Sequence, residues 1–346
     1  MKQHIKSIDY LRGVLALCIV LYHYLSWTHS IEVNSNQILF RIALYGVSIF
    51  FIISGFSLVI AYRDIDFLKI NNIIMYFRKR IARIYPLFWL VIIISVIIDY
   101  RYISEIREFL IQFTIFFGIF GKGGLTPGAW SIGIEIIFYL FFPILMLLSS
   151  YLISHSKITL LVIYLFLIGA FLYTSMFHNN YFLNMGDKYF KMYVLNFCNH
   201  AYFFLFGMLL AFFYEKVIAS RLLKKYYILL VILSATIFIL PKVSIDEYYF
   251  IIDGVWRLVF SLASFIIFTA FLFNKIESNL LSFFGKISYT LYLTHPVSFY
   301  ILNKIYKISD VYTVFIALIF SIIVAVFIYY LYEEPLKKII TNFRIS

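Results

Sequence analysis

Charged residues and cysteines are scarce in this chain, and each scarcity excludes a class of protein. Only 13% of the 346 residues are charged, whereas 63% are hydrophobic. A soluble domain of this length could not cover its surface with so few charges. The two cysteines, Cys18 and Cys198, imply no disulfide framework, and Cys18 lies within a long apolar segment where a packed thiol is expected.

Several sequence motifs are also missing. There is no Walker loop and no G-x-G-x-x-G, so the chain has no nucleotide-binding fold of its own, and without H-E-x-x-H no metal site is predicted. Ser131 does not lie in a G-x-S-x-G elbow, which gives little support to a hydrolase nucleophile. The net charge is +12, but the basic residues lie in short loops between apolar segments, so nucleic-acid binding is not indicated.

What the chain does contain is a succession of long apolar segments. They predict an all-α protein, a polytopic transmembrane helical bundle formed by one domain over residues 1–346. A β-barrel would show short alternating segments instead. The first segment has no small-residue cleavage site and is expected to be a retained helix. We place about ten spans at 8–27, 38–62, 84–99, 131–149, 158–177, 200–216, 226–241, 251–273, 287–303 and 312–333.

The distribution of basic residues predicts the orientation. Most of the 29 Lys and Arg residues fall in loops that this topology places on the inner side, so both termini are expected in the cytoplasm. Residues 109–120 are apolar but too short for a crossing, and they are expected to form a re-entrant or interfacial segment buried against protein. The longest outer loop runs from about His178 to His200.

Arg12 and His23 lie within the first span and are eleven residues apart. Eleven steps of about 100° make three turns plus roughly 20°, so both side chains share one helix face, about 16 Å apart along the axis. Ionisable groups inside a membrane are costly and mark functional sites by default. The alternative is that both side chains extend to the two surfaces. A neutral histidine can accept a proton from a hydroxyl, which is the predicted role of His23.

Glu135 is predicted at a depth similar to that of His23, but in the fourth span. A carboxylate there could fix the tautomer of the imidazole and stabilise its charged form. The alternative is a structural ion pair with Arg41 or Arg257, which also fall within predicted spans.

The inner loop FRKRIARIYP places Arg80 and Arg83 on neighbouring helix positions. Arginine pairs of this kind can hold the phosphates of a nucleotide-like cosubstrate, although contact with anionic lipids explains such a loop equally well. In FFIISGFSL, Ser54, Gly55 and Ser57 favour close helix packing. His295 precedes Pro296 near the middle of the ninth span, where a kink and a catalytic role are both possible.

Taken together, IDYLRG with its Arg-x10-His spacing, FFIISGF, RKRIARIYP, WSIGIEIIFY, SYTLYLTHP and YLYEEPLKK resemble the acyltransferase-3 family of bacterial integral-membrane acyltransferases. The resemblance runs from about Ile8 to Pro335. It implies a multi-pass protein of the cytoplasmic membrane that moves an acyl group, most often acetyl, onto cell-surface glycans. Acetyl-CoA is then the donor at the cytoplasmic side.

The resemblance also implies roles for particular residues. Arg12 and His23 are expected to be essential, with functional weight on Arg80, Arg83 and Glu135. We therefore predict His23, Glu135 and Arg12 as catalytic, and Arg80, Arg83 and Arg12 as contacts to acetyl-CoA. The predicted acceptor-side residues are Trp130, Ser131 and His295.

Alternatives remain at this stage. The donor could be succinyl-CoA or another short acyl-CoA. The acceptor could be lipopolysaccharide O-antigen, capsule, exopolysaccharide, a teichoic polymer or an amino-sugar intermediate. The sequence does not decide between direct transfer and an acyl-enzyme. A flippase that moves a glycan lipid without forming a bond also uses buried charges and broken helices, although the sequence shows no inverted repeat. A membrane sensor would not explain the charged helix face, and the sequence does not indicate an oligomeric state.

Overall fold

The computed structural model describes residues 5–31, 36–98, 106–114, 116–119, 123–124, 126–177, 194–241, 250–274 and 276–342. Throughout these ranges the regular secondary structure is helical, without a strand. The all-α prediction is therefore confirmed. Most of the predicted outer loop, residues 178–193, lies outside the described residues.

The helices are numbered in chain order, and short 3₁₀ and π segments lie between some of them. Their bounds are α1 Lys6–Trp27, α2 Ile38–Tyr62, α3 Ile70–Ile98, α4 Ile106–Thr114, α5 Ala129–His155, α6 Lys157–Phe177, α7 Cys198–Phe212, α8 Tyr214–Ala219, α9 Arg221–Ile239, α10 Gly254–Phe271, α11 Asn279–Ile305, α12 Val311–Ile328 and α13 Glu334–Asn342.

Eight of the described helices are long and apolar enough to cross a membrane, so the protein is a multi-pass membrane protein. Each of the ten predicted spans falls on a helix. Two of these helices are not both long and apolar enough for a membrane span. Helix α7 has only 15 residues, and α11 is long enough but rich in Ser, Thr and His. The polar composition of α11 has a local reason, because this helix carries much of the candidate site.

The apolar segment at 109–120 forms two short pieces. Helix α4 has nine residues, and a 3₁₀ turn follows at Phe116–Gly118. Nine residues rise about 14 Å, roughly half of a bilayer core. The turn packs tightly on α5, because a Cβ at Gly118 would lie 2.5 Å from the Gly133 carbonyl carbon. Phe117 beside it is fully buried.

The chain divides into two compact units. The first comprises residues 1–19, 32–64 and 148–286. The second comprises residues 20–31, 65–147 and 287–346 and contains all but one of the predicted site residues, the exception being Arg12.

In the first unit, glycines bring α2 and α7 into close contact. A Cβ at Gly55 would lie 2.3 Å from the Phe204 carbonyl oxygen, and one at Gly207 would lie 2.1 Å from the Ile52 carbonyl oxygen. Both distances are far below a van der Waals contact, so the two backbones touch where each helix has no side chain. The small residues of FFIISGF therefore serve helix packing, as the sequence indicated.

We expect Gly207→Ala to destabilise the protein by about 1–3 kcal/mol, because the new methyl group must push α7 away from α2. The matched control is Gly169→Ala in α6, where nothing lies within 4 Å of the added Cβ. That control should be neutral or slightly stabilising, since alanine favours the helix. Thermal unfolding of the purified variants in one detergent measures both. Equal midpoints for the two variants would contradict the packing argument.

Two buried arginines of the first unit have partners of their own. Arg41 donates to the carbonyl oxygens of Phe238 and Pro241, at 3.2 and 2.7 Å. Arg257 donates to the Asn199 carbonyl at 2.7 Å and lies against aromatic rings, including that of Tyr202. Charge-assisted hydrogen bonds and cation–π contacts make these guanidinium groups tolerable inside a helical protein.

Candidate active site

The centre of the candidate site is a pair of histidines in the second unit. Nδ1 of His23, on α1, lies 2.8 Å from Nε2 of His295, on α11, and the two rings are nearly parallel. His295 is fully buried, whereas His23 is partly exposed. His23 is thus the more exposed member of the pair.

Aromatic side chains enclose the histidine pair. The Trp27 indole is nearly parallel to both imidazole rings, with centroids 5.2 Å from His23 and 5.8 Å from His295. The Phe299 ring meets the indole edge-on at 5.1 Å. The Tyr24 hydroxyl donates to the His295 carbonyl oxygen at 2.8 Å. These contacts fix the ring planes and surround the pair with apolar surface.

Helix α11 extends this polar centre towards the start of α5. The Tyr292 hydroxyl donates to the Gly128 carbonyl at 3.1 Å and lies 3.0 Å from the hydroxyl of Ser131. Ser131 also donates to the Gly128 carbonyl, at 2.9 Å. Gly128 has a φ of +85°, a conformation that favours glycine. Ser131 is buried, and the neighbouring Trp130 is partly exposed.

A second polar cluster surrounds Glu135 in the same unit. The Tyr139 hydroxyl donates to the Glu135 carboxylate, one helical turn away on α5. The Arg80 guanidinium lies 5.6 Å from the centre of the Tyr139 ring, within cation–π range. Arg83 also interacts electrostatically with Tyr139. The predicted residues Arg80, Arg83 and Glu135 are therefore brought together around one tyrosine.

The end of this cluster is formed by α11 and the π-helix that follows α12. The Thr290 hydroxyl donates to the buried Glu333 carboxylate. Tyr289 donates to the Ile84 carbonyl at 3.2 Å and interacts electrostatically with Glu333 and Arg83. Two carboxylates, Glu135 and Glu333, thus lie near the hydroxyls of this cluster together with Arg83.

The structure changes one predicted pairing. The sequence predicted an imidazole–carboxylate pair between His23 and Glu135, at similar depth. In the structure the hydrogen-bond partner of His23 is His295, and Glu135 accepts from Tyr139. A residue count gives the depth of a side chain in the membrane but not which helices are neighbours. The sequence alone therefore could not distinguish Glu135 from His295 as the partner of His23.

Arg12 lies in the first unit and is partly exposed. Helix α1 is unbroken from Lys6 to Trp27. The shared face of Arg12 and His23 stays a prediction.

Sequence reasoning missed five members of the two clusters: Tyr139, Tyr289, Thr290, Tyr292 and Glu333. The tyrosines were hidden among the 30 tyrosines of the chain. Glu333 had a usable signal, because an acidic pair stands directly before Pro335 at the end of an apolar span. The π-helix at Tyr329–Glu333 adds a residue to the turn, a feature frequent at functional sites.

No group of three or more metal-ligating side chains occurs among the residues that the structure describes. In the first unit, a cavity of about 450 Å³ is lined by Arg63, Lys157 and the hydroxyl of Ser154, among others. Arg63 pairs there with Asp64 and Glu215, so its charge is already balanced by carboxylates. None of the predicted site residues lines this cavity.

The fold and the site together define a multi-pass helical membrane protein with a hydrogen-bonded histidine pair and an arginine–carboxylate cluster. Residues 5–330 match the model of the acyltransferase-3 family, described as "Acyltransferase domain". The chain therefore belongs to this family, and the resemblance seen in the sequence is confirmed.

Comparison with individual proteins gives a more distant match. A protein of Acidianus two-tailed virus, named "Putative acetyltransferase ORF330", is 28% identical over 191 residues. The match covers 53% of this chain and 54% of the viral protein. This chain is thus similar to about half of that relative. No solved structure matches the chain.

Proposed function

We propose that this protein, acting as one membrane domain over residues 1–346, transfers an acetyl group from acetyl-CoA to a hydroxyl of a cell-surface or lipid-linked glycan. The observation that carries the proposal is the partly exposed His23, hydrogen-bonded to a fully buried histidine in a chain of an acyltransferase family. Histidine is the commonest general base for activating a hydroxyl. We place the protein in a bacterial cytoplasmic membrane, with both termini inside.

The donor is proposed to bind with its phosphates at the arginines. Arg80 and Arg83 lie one turn apart on α3, and both are partly exposed. A guanidinium group can give two parallel hydrogen bonds to a phosphate and is the preferred partner for such groups. Arg12 is proposed as a further contact to the donor. The thioester end of acetyl-CoA would then reach towards His23.

The acceptor is proposed to approach His23 from the other side of the membrane. Trp130, Ser131 and His295 were the residues predicted for this side. Ser131 and His295 both connect to Tyr292, through its hydroxyl and its backbone carbonyl respectively. Partly exposed indoles such as Trp130 and Trp27 offer apolar faces on which a sugar ring can pack.

The proposed reaction is a single displacement at the thioester carbonyl. The acceptor oxygen forms a bond to the carbonyl carbon while His23 removes the hydroxyl proton. The carbon–sulfur bond then breaks, and the sulfur of coenzyme A accepts this proton from His23. The products are an acetyl ester and free coenzyme A. General-base catalysis of this kind contributes about 10²–10⁴-fold, and holding both reactants together contributes further.

The direct test uses purified protein in lipid nanodiscs with acetyl-labelled coenzyme A and an extract of lipid-linked glycans as acceptor. We expect label in the glycan fraction, released by mild base because the product is an ester. Label that stays on coenzyme A with every acceptor fraction would contradict the proposal. Parallel incubation with succinyl-CoA distinguishes the alternative donor.

A flippase is the second candidate, supported by a proline inside α11 and by the buried charges. It predicts movement of a glycan lipid across a vesicle membrane without acetyl-CoA and without label in the product.

A further inference from the structure

Pro296, the residue after His295, changes the hydrogen bonding of the helical turn that precedes it. In an α-helix the carbonyl of residue i accepts from the N–H of residue i+4. The position four residues after Tyr292 is Pro296, inside α11, and proline has no N–H. The Tyr292 carbonyl accepts instead from the imidazole of His295, whose Nδ1 lies 2.7 Å away.

This contact fixes the tautomer of His295. A backbone carbonyl can only accept a hydrogen bond, so the proton between the two atoms belongs to Nδ1 of His295. In a neutral imidazole the other ring nitrogen then carries a lone pair. That nitrogen, Nε2 of His295, faces Nδ1 of His23 at 2.8 Å.

The same argument then fixes the tautomer of His23. Because Nε2 of His295 accepts, Nδ1 of His23 must be the donor. The remaining nitrogen of His23, Nε2, carries the lone pair. Among the residues that the structure describes, no hydrogen-bond partner of this Nε2 is present.

We propose that His295 is a positioning residue, which holds His23 in the tautomer protonated at Nδ1 so that Nε2 acts as the general base. The chain of hydrogen bonds runs from His23 through His295 to the Tyr292 carbonyl. This inference rests on the proposed function and replaces the acceptor-binding role predicted for His295. The arrangement uses a second histidine where hydrolytic triads use a carboxylate.

The hydrogen bonds also support the charged intermediate. When Nε2 of His23 takes the proton of the acceptor hydroxyl, both nitrogens of its ring carry protons. Nδ1 then donates a charge-assisted hydrogen bond to His295, which is stronger than a neutral one. His295 keeps its own proton on Nδ1 throughout, so no proton moves along the chain. The proton on Nε2 of His23 leaves with the sulfur of coenzyme A.

Two substitutions of similar size separate positioning from packing. The amide of Asn reaches about as far as Nδ1 of histidine, so His295→Asn keeps a donor for Tyr292 but gives His23 no acceptor. The amide of Gln reaches about as far as Nε2, so His295→Gln restores an acceptor for His23. We expect His295→Asn to lower kcat about 10²–10⁴-fold, with KM for acetyl-CoA unchanged. His295→Gln should stay within about tenfold of wild-type kcat.

The tautomer itself is measured by solid-state NMR of protein with nitrogen-15 histidine in lipid, with His23 assigned from the spectrum of His23→Gln. In the wild type we expect a protonated Nδ1 and an unprotonated Nε2 on His23. In His295→Asn we expect a mixture of both tautomers. The wild-type tautomer needs only His23→Gln for its assignment, so a misfolded His295 variant does not prevent the test.

The outcomes separate the two proposals. A wild-type His23 protonated at Nε2, or equal kcat for His295→Asn and His295→Gln, would overturn the positioning role even if acetyl transfer and its dependence on His23 are found. If the purified wild type transfers no acyl group while the spectrum shows Nδ1 protonated, the proposed function fails and the tautomer assignment stands.

Discussion

Replacing His23 with glutamine should lower kcat for acyl transfer about 10²–10⁴-fold, the contribution expected of a general base. Glutamine fills a similar volume and can still hydrogen-bond to His295, but it cannot take up a proton. The loss should therefore appear in kcat, with little change in KM for the donor. Initial rates of labelled acetyl transfer by purified protein measure it.

The matched control for that experiment is His155→Gln. His155 lies at the exposed end of α5, where its Nδ1 is hydrogen-bonded to the Tyr151 carbonyl at 2.9 Å. This variant should transfer at the wild-type rate. If His23→Gln also does so, at an equal protein level and with an equal unfolding temperature, then His23 is not the base.

Replacing Arg83 with methionine should raise KM for acetyl-CoA about 10- to 100-fold, because a hydrogen bond to a charged group contributes about 1.5–3 kcal/mol. Methionine keeps much of the apolar length of the side chain and removes only the charge. Since the phosphates lie far from the reacting carbonyl, kcat should change little. A full kinetic series in acetyl-CoA gives both constants.

A donor without phosphates makes this test specific. With S-acetyl-pantetheine, Arg83→Met and the wild type should have the same KM, because the missing charge has nothing to contact. Lys69→Met is the control, since Lys69 is an exposed cation just before the same helix. The phosphate role would be refuted by an equal loss with both donors, which would indicate that Arg83 maintains the local structure instead.

The helices were predictable from sequence because membrane spans depend on length and apolar composition alone. Both quantities are read directly from the chain, and each predicted span falls on a helix. The start of the third span was wrong: α3 begins at Ile70, so the predicted inner loop FRKRIARIYP is part of this helix. Helix α11 shows the limit of the criterion: Thr290, Thr294 and His295 lower its apolar character. Thr290 donates to Glu333 and His295 donates to the Tyr292 carbonyl, so polar residues within this span are functionally informative.

The partners within the site were less predictable. His23 could be placed at a depth, but its neighbour is set by which helices pack side by side, and a residue count carries no such information. The adjacent residues His295 and Pro296 did carry part of this information. A proline four residues after Tyr292 redirects a backbone carbonyl to His295, which explains why a histidine precedes that proline. Identifying His295 as the partner of His23 also required the distance between the two side chains, which only the structure gives.

The central claim is that Nε2 of His23 receives the proton of the acceptor hydroxyl. It is tested most directly by a cryo-EM structure of the wild-type protein with an acceptor sugar and a non-transferring analogue of acetyl-CoA, in which a methylene group replaces the thioester sulfur. We expect the acceptor oxygen about 2.6–3.2 Å from Nε2 of His23 and aligned with the carbonyl carbon. An acceptor oxygen held at hydrogen-bond distance by Glu135 instead, and out of reach of His23, would contradict the account.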